Sequence, residues 1–495
     1  MDFLDPKKRR GYNIRLFVGF VLISVAIVLA TTILALITAG YSINRKTGQV
    51  IQNSLVFINS QPVSANLTVN GTSYGTTNAR LELDAGKYTI LLTQTGYRSW
   101  SNNVTLYGGQ VEQLIYPFLF PTNPTKTTEV GFASEPQIAT QSPDRHWMLV
   151  SVPGQTGSFY NIDITNPKTP ITTVTIPTTI LGNEPGTNSL SVVDWSNDNN
   201  NVLLKDSYQG GTQFIMFNRT NPAASYNLNQ DFPSAVFTSV KLDNKSATKL
   251  YLYNQANNNL SLADINAKTV TSVLNNVISY WPYSTNQILY VTTDSSNAAN
   301  VDARLWNSNG KDYVLRQLPV GASYELNMAS FNGDLYVVIG SSSSKYAYIY
   351  KNPANQLSLA PNTQPIPFTL LVVGGTPEDA LFSNSARFIS VQSGSQFSIY
   401  DIQTDTHYRY DTGLTFNTAE LATWMDGNRL DAVIGGKVTI WDFDGTNVVP
   451  YVESSQDFLA NFNQGYDAVY TVLPTPNSTN GEWSLVRNSL IANKP

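Results

Sequence analysis

Residues 424–445 read WMDGNRLDAVIGGKVTIWDFDG: a turn at Trp424-Met425-Asp426-Gly427, an apolar run, a second turn, and a strand ending on Trp441-Asp442. The same pattern recurs along the chain. An apolar or aromatic strand ends on one polar residue at Ile162-Asp163, Phe217-Asn218, Ala263-Asp264, Trp306-Asn307, Tyr350-Lys351, Tyr400-Asp401, Trp441-Asp442 and, in degenerate form, Val486-Arg487. The steps between these polar residues are 55, 46, 43, 44, 50, 41 and 45. A period in that range, built of short strands, predicts a β-propeller.

Turns precede each strand end by 16 to 23 residues. They are Ser142-Pro143-Asp144, Trp195-Ser196-Asn197-Asp198, Lys241-Leu242-Asp243-Asn244, Trp281-Pro282-Tyr283-Ser284, Phe331-Asn332-Gly333-Asp334, Phe382-Ser383-Asn384 and Trp424-Met425-Asp426-Gly427. Apolar runs such as Val202-Leu203-Leu204 and Phe388-Ile389-Ser390-Val391 follow them. These units resemble the blades of WD40 and TolB-like propellers, where an aromatic and a Ser-Pro-Asp-Gly-type turn join the first two strands and the third often ends in Trp-Asp. The likeness is one of rhythm, since most copies lack the full turn. Eight blades are expected if Val486-Arg487 counts as a unit, seven otherwise. A ring must close or leave two unpaired strand edges. Only eight residues follow Arg487, so Lys126 to Ala133 is expected to supply the missing strand.

Composition agrees with an all-β ectodomain. Charged residues make up 13% of the 495, and no long stretch except one near the N-terminus shows helical periodicity. That stretch, Leu16 to Ala39, is an apolar run of 24 residues preceded by Lys7-Lys8-Arg9-Arg10. At ~1.5 Å per residue it spans a bilayer core, and it exceeds the roughly 7–15 apolar residues of a removable signal peptide. An uncleaved signal anchor is expected, with cleavage near Thr38-Ala39-Gly40 as the alternative. Lys7, Lys8, Arg9, Arg10 and Arg15 precede the run, against Arg45 and Lys46 just after it. That bias puts the N-terminus in the cytoplasm and the bulk of the chain outside. The resulting division is a basic tail (1–15), a transmembrane helix (16–39), a linker (40–54), a small domain (55–121) and the propeller (122–495).

Setting aside those seven basic residues with Asp2 and Asp5 leaves 23 Lys and Arg against 33 Asp and Glu. An acidic exported part without a basic cluster argues against nucleic acid as a partner. Cysteine is absent, which excludes disulfides, thiolate metal sites and thiol nucleophiles. Secreted animal domains usually carry disulfides, so a bacterial envelope, with the chain a single-pass protein of the cell membrane, is the more natural home.

Between Leu55 and Pro121 the strands alternate apolar and polar: Leu67, Val69, the Asn70-Gly71 turn, Leu81, Leu83, then Tyr88, Ile90, Leu92. Six or seven short strands in this block predict a small β-sandwich with Tyr97 and Trp100 in its core. The block resembles the PEGA domain through Ser60-x-Pro62-x-x-Ala65, Asn70-Gly71 with Gly75-x-Thr77, Ala85-Gly86-x-Tyr88 and Gly96-Tyr97-x-x-Trp100. Ser64 stands where that family usually has Gly, and Asn78 where Pro commonly follows Thr. The resemblance implies a surface or interaction module without catalytic residues.

Catalytic patterns are sparse. The two histidines, His146 and His407, are 261 residues apart; neither has a Gly-x-Ser-x-Gly elbow, and a zinc site normally needs three or four ligands. Asp194-x-Ser196-x-Asp198-x-Asn200 alternates oxygen ligands like a calcium loop, but has Asn199 in place of the Gly and Lys205 in place of the closing acid. Asp442-Phe443-Asp444-Gly445 reads as a hairpin turn. Asp residues recurring at equivalent blade positions cap turns, although paired carboxylates could also cleave glycosides. Trp195, Trp281 and Trp424 share a repeat position, which points to packing between blades. Tyr280, Trp281 and Tyr283 form the one candidate exposed aromatic patch.

The expectation is a membrane-anchored binding or scaffold protein that needs no cofactor or metal and recognises an envelope protein or a cell-wall polysaccharide. The alternative is a polysaccharide hydrolase or lyase. An enzyme should gather non-periodic Asp and Glu at the propeller's mouth with perturbed titration.

Overall fold

The computed structural model describes residues 6–38, 41–43, 50–182, 188–284, 286–359, 364–416, 421–476, 478 and 480–492. Two compact units emerge, Met1–Asn123 and Pro124–Pro495.

In the first unit, the helix Pro6–Thr38 includes a span, Gly11–Thr38, long and apolar enough to cross a membrane. It begins earlier than the expected Leu16, because Lys and Arg are good helix formers and extend the apolar helix backwards. Hydroxyls of Ser24, Thr31, Thr32 and Thr38 donate to carbonyls one turn back, so the run carries them without unsatisfied donors. The expected linker is also partly regular structure. Tyr41–Ile43 pairs antiparallel with the first three residues of Val50–Ile58, so the sandwich sheet starts three residues past the helix.

Val50–Ile58 lies beside Ala79–Asp84 and, in parallel, Val111–Leu114. The facing sheet is Thr72–Thr76, Asn66–Val69, Gly86–Thr93 and Trp100–Leu106. Alternation puts Val56, Ile58, Leu67, Val69, Ile90 and Leu92 inside. Trp100 fills this core, edge-on to Tyr116 with centroids 5.8 Å apart. Tyr97, expected beside it, is only half-buried; it lies in the turn before the strand Trp100–Leu106 and forms an isolated bridge to Pro121.

The second unit contains, among the described residues, eight four-stranded antiparallel sheets. Seven run consecutively over 139–175, 189–227, 239–274, 277–319, 324–372, 379–411 and 423–453, and are called blades one to seven. Blade eight joins Asn461–Phe462, Ala468–Pro474 and Trp483–Ser489 to Lys126–Phe132 from the other end of the unit. The strand expected to close the ring does close it. Seven third strands end on the residue that marks the repeat, from Asp163 to Asp442; the eighth runs two residues past Arg487. The long steps of 55 and 50 hold the 3-10 turn Thr178–Ile180 and the helix Pro353–Leu359.

Blades pack face to face, so their middle strands are buried on both sides and read as unbroken apolar runs, such as Val202–Leu204 with Phe214–Phe217. Outer strands alternate instead, as in Thr406–Asp411. Apolar clusters fill successive seams from blades eight and one round to five and six. Phe388 stacks on Trp424 and Phe443 between six and seven. The Tyr451 hydroxyl donates to the Ser489 carbonyl between seven and eight. First strands of neighbouring blades approach one another, which makes them the axial layer.

Candidate functional site

Every first strand runs into the turn that leads to its second strand, so the axial layer has two ends. Strand starts gather at one mouth of the ring and the first turns at the other.

The repeated polar residues serve the fold. Asp163 accepts from the N–H groups of Thr165 and Asn166, Asn218 from Thr220 and Asn221, Asp264 from Ala267, and Asn307 from Asn309 and Lys311. Asp401, fully buried, accepts from the Gln403 N–H and takes Arg387 in a two-point ion pair at 2.9 and 2.6 Å. Burial pushes the Asp163 and Asp198 carboxyls up, but the hydrogen bonds they accept outweigh it and hold both below the usual range.

The calcium-like stretch does not converge on a cation. Asp194 is paired with Lys245 at 2.6 Å, and the Ser196 hydroxyl, which would be a ligand, donates to Asp198. His146 Nε2 lies 3.3 Å from Asp163 and its ring stacks on Trp147; His407 meets the Thr369 hydroxyl at 2.8 Å. Among the described residues, no three His, Asp or Glu side chains could hold a metal ion together. Asp442-Phe443-Asp444-Gly445 is a turn closed by Gly445 N–H to the Asp442 carbonyl.

The expected aromatic patch is not an exposed one. Tyr280 is buried in the seam between blades three and four. Trp281 and Tyr283 are half-buried against the seam between four and five. The cause is strand periodicity: successive residues of an axial strand face opposite neighbours, so three aromatics in four positions fill two seams. Lys241 of blade three completes this region. Its ammonium donates to the Tyr280 carbonyl at 2.9 Å and lies 5.0 Å from the Trp281 ring; burial pushes its pKa down to about 8, against the pull of Asp194.

At the turn mouth, Arg145 of blade one lies 5.0 Å from the Tyr466 ring of blade eight and donates to the carbonyls of Trp424 and Met425 of blade seven. Both residues hold positive φ, 59° and 50°, where the repeat's turn favours Gly or Asn. Beside them, burial raises the Asp431 carboxyl to about 7, despite the Thr423 hydroxyl and the Arg145 charge. Asp426 is bound by Arg429 in a buried ion pair.

At the opposite mouth two carboxylates stand on neighbouring axial strands. Glu325 is the second residue of the first strand of blade five (Tyr324–Phe331), and Asp379 the first of its counterpart in blade six (Asp379–Phe382). Asn327 Nδ2 donates to the Ala380 carbonyl at 3.0 Å and ties the two strands. Burial and then the Asp379 charge push Glu325 up to about 7; burial pushes Asp379 up to about 6, although the Ala380 N–H opposes it. Neither residue falls at a repeat position. Departure from the repeat is the one sequence signal that marks them.

Residues 53–118 match the family model of the PEGA domain. The sandwich is a PEGA domain. In it, Ser64 and Asn78, the two departures from the family pattern, both hold positive φ (64° and 65°). Ser64 thus takes the conformation a Gly would, whereas Asn78 occupies one closed to Pro. No curated protein matches the chain. Among solved structures, the Dos1 propeller is similar at 11% identity and TM-score 0.44, covering 75% of this chain and 95% of its own. A chain of the Mitotic Checkpoint Complex is similar at 10% identity and TM-score 0.38, covering 71% and 95%. A functionally unknown protein from Desulfotomaculum acetoxidans gives 10% and 0.33, covering 74% and 92%. The ring in this chain rests on its own strand pairing.

Proposed function

We propose that this chain is a single-pass protein of a bacterial cell envelope, N-terminus in the cytoplasm, whose PEGA domain and propeller stand outside and bind a cell-wall polymer or a partner protein. The Glu325–Asp379 pair carries the reading. Carboxyls raised to about 7 and about 6 are part-protonated near neutrality, so they donate as well as accept hydrogen bonds. That suits the hydroxyls and amides of a wall polysaccharide. Their place on rigid axial strands suits recognition by a preformed mouth.

The same pair supports a second reading, a polysaccharide hydrolase or lyase with one carboxyl as acid and the other as base. Co-sedimentation of the detergent-solubilised full chain with purified cell-wall polymer tests both. Binding that is lost in Glu325→Gln/Asp379→Asn, with no new reducing or unsaturated ends, supports recognition. New ends made by the parent protein but not by the variant support cleavage. Equal binding by both proteins removes the mouth from either role.

A further inference from the structure

The lower end of the PEGA domain carries a second candidate surface, and chain geometry fixes its position. The apolar run ends at Ala39, two residues before Tyr41. Tyr41 pairs with Gln52, and Gln52 packs against the turn between Trp100–Leu106 and Val111–Leu114: a Cβ added at Gly108 would meet Gln52 Cβ at 2.7 Å. Gly109 N–H donates to the Asn53 carbonyl at 3.0 Å, and the Ser54 hydroxyl donates to the Tyr107 carbonyl. This turn is therefore tied to the strand segment that leaves the helix. Only two residues, and at most about 11 Å of chain, separate the helix end at Thr38 from Tyr41.

Tyr107 opens the turn, its carbonyl accepting from the Gln110 N–H, and its side chain is 67% exposed. Leu106 pairs with Gly86 and Thr105 with Lys87, so exposed Lys87 stands on the adjoining strand, diagonal to Tyr107 and two positions back from the turn. An exposed tyrosine with a nearby lysine is the pairing found where proteins meet lipid headgroups: the ring suits the interface and the ammonium a phosphate. The helix repeats this theme, with Tyr12 (59% exposed) before the apolar run and Tyr41 (38% exposed) after it. At 1.5 Å per residue the helix from Tyr12 to its end at Thr38 is about 39 Å long, close to the thickness of a bilayer with its headgroups.

We propose that the turn bearing Tyr107, with Lys87 beside it, rests in the headgroup layer of the bilayer that the chain's own helix crosses. The PEGA domain then docks on lipid as well as hanging from the helix, so the anchor holds it in one orientation. This rests on the reading of the helix as an uncleaved anchor.

The absence of cysteine makes the test direct. Nitroxide labels are placed through Tyr107→Cys, Tyr41→Cys and Val63→Cys in the full chain, reconstituted in phosphatidylcholine–phosphatidylglycerol vesicles. Val63, 59% exposed, lies at the far end of the sheets and reports water. The expected result is a collision rate with a water-soluble nickel chelate at least threefold lower at position 107 than at 63, approaching that at 41. Equal rates at 107 and 63, with 41 shielded, overturn the docking and leave the anchor intact. Spin–spin broadening at 107 without shielding assigns the turn to a second copy and also overturns it. Failure of the protein to float with vesicles overturns the anchor reading and the docking with it.

Discussion

Arg487 Nε stands 3.0 Å from Glu129 Oε1, with both side chains almost buried, and joins the third strand of blade eight to the strand that enters the propeller first. The residue that marks the eighth, degenerate repeat thus does not cap a turn, as Asp163 and Asp401 do. It fastens the seam where the two ends of the propeller meet. Removing one partner of a nearly buried pair strands the other, at a cost of about 3–5 kcal/mol. Glu129→Gln and Arg487→Met should each lower the denaturation midpoint clearly, and the double variant should lose less than the sum. Deleting residues 122–133 should cost far more, since it also removes Phe132 from the seam between blades eight and one. An unchanged thermal transition in the deletion would mean that the ring does not depend on this closure.

Arg145 and Tyr466 give a test of sign. Non-glycine residues at positive φ cost roughly 1–2 kcal/mol each, so glycine at either position should stabilise if the side chain does nothing. The Arg145 guanidinium, however, holds two carbonyls of blade seven and lies over the Tyr466 ring. Arg145→Gly is expected to destabilise the propeller by about 1 kcal/mol or more, because hydrogen bonds from a charged donor are worth about 1.5–3 kcal/mol each. Asn332→Gly, at the first turn of blade five (φ 50°, exposed side chain), should change stability by only a few tenths in urea titrations.

Raised carboxyl pKa values set the pH dependence. Glu325, Asp379 and Asp431 bind protons more tightly folded than unfolded, at about 7, about 6 and about 7. The unfolded chain has already released these protons above pH ~4, so stability falls as pH rises from there through the folded values. Thermal midpoints are therefore expected to fall between pH 5 and pH 8. Below pH ~4 the trend should reverse as the low-pKa carboxylates Asp163 and Asp198 take up protons. Lys241, pushed down to about 8, gains stability only above pH 8. Asp431→Asn, which keeps an acceptor for the Thr423 hydroxyl, should raise the midpoint at pH 8 and flatten the slope. A wild-type midpoint that rises steadily from pH 5 to pH 8 would contradict this assignment.

The repeat was legible because each blade solves the same local problems. A buried third strand must end, and Asp or Asn caps the turn that follows; a first turn must reverse, and Asn takes positive φ at 199, 244 and 332. Closure was legible because the C-terminal end was one strand short and the N-terminal end one strand long. The Glu325–Asp379 pair was not legible, since its members are 54 residues apart and come onto neighbouring strands only because two blades pack side by side. Tyr280, Trp281 and Tyr283 misled for a related reason: a cluster in sequence becomes two opposed faces in a strand. The connector before the sandwich was misread because its polar composition conceals pairing with Val50–Gln52.

The repeated tryptophans show how far that periodic reading reaches. Trp195 Nε1 donates to Thr140 of blade one at 2.9 Å, and Trp424 Nε1 donates to Ser390 of blade six at 3.1 Å. Trp281 meets the Lys241 ammonium of blade three. Each reaches back to the preceding blade, so one sequence position supplies both apolar area and a polar tie to seams around the ring. The Ser390 hydroxyl already donates to the Leu381 carbonyl and accepts from Trp424. Trp424→Phe therefore keeps most of the packing against Phe388 and loses one acceptor's partner, an expected cost of about 1–2 kcal/mol. Trp424→Ala opens the seam and should cost about 3–5 kcal/mol. Trp195→Phe and Trp195→Ala should show the same ordering in chemical denaturation. A Phe variant as damaging as Ala would place the energy in the indole N–H, and not in the packing that the repeat position implies.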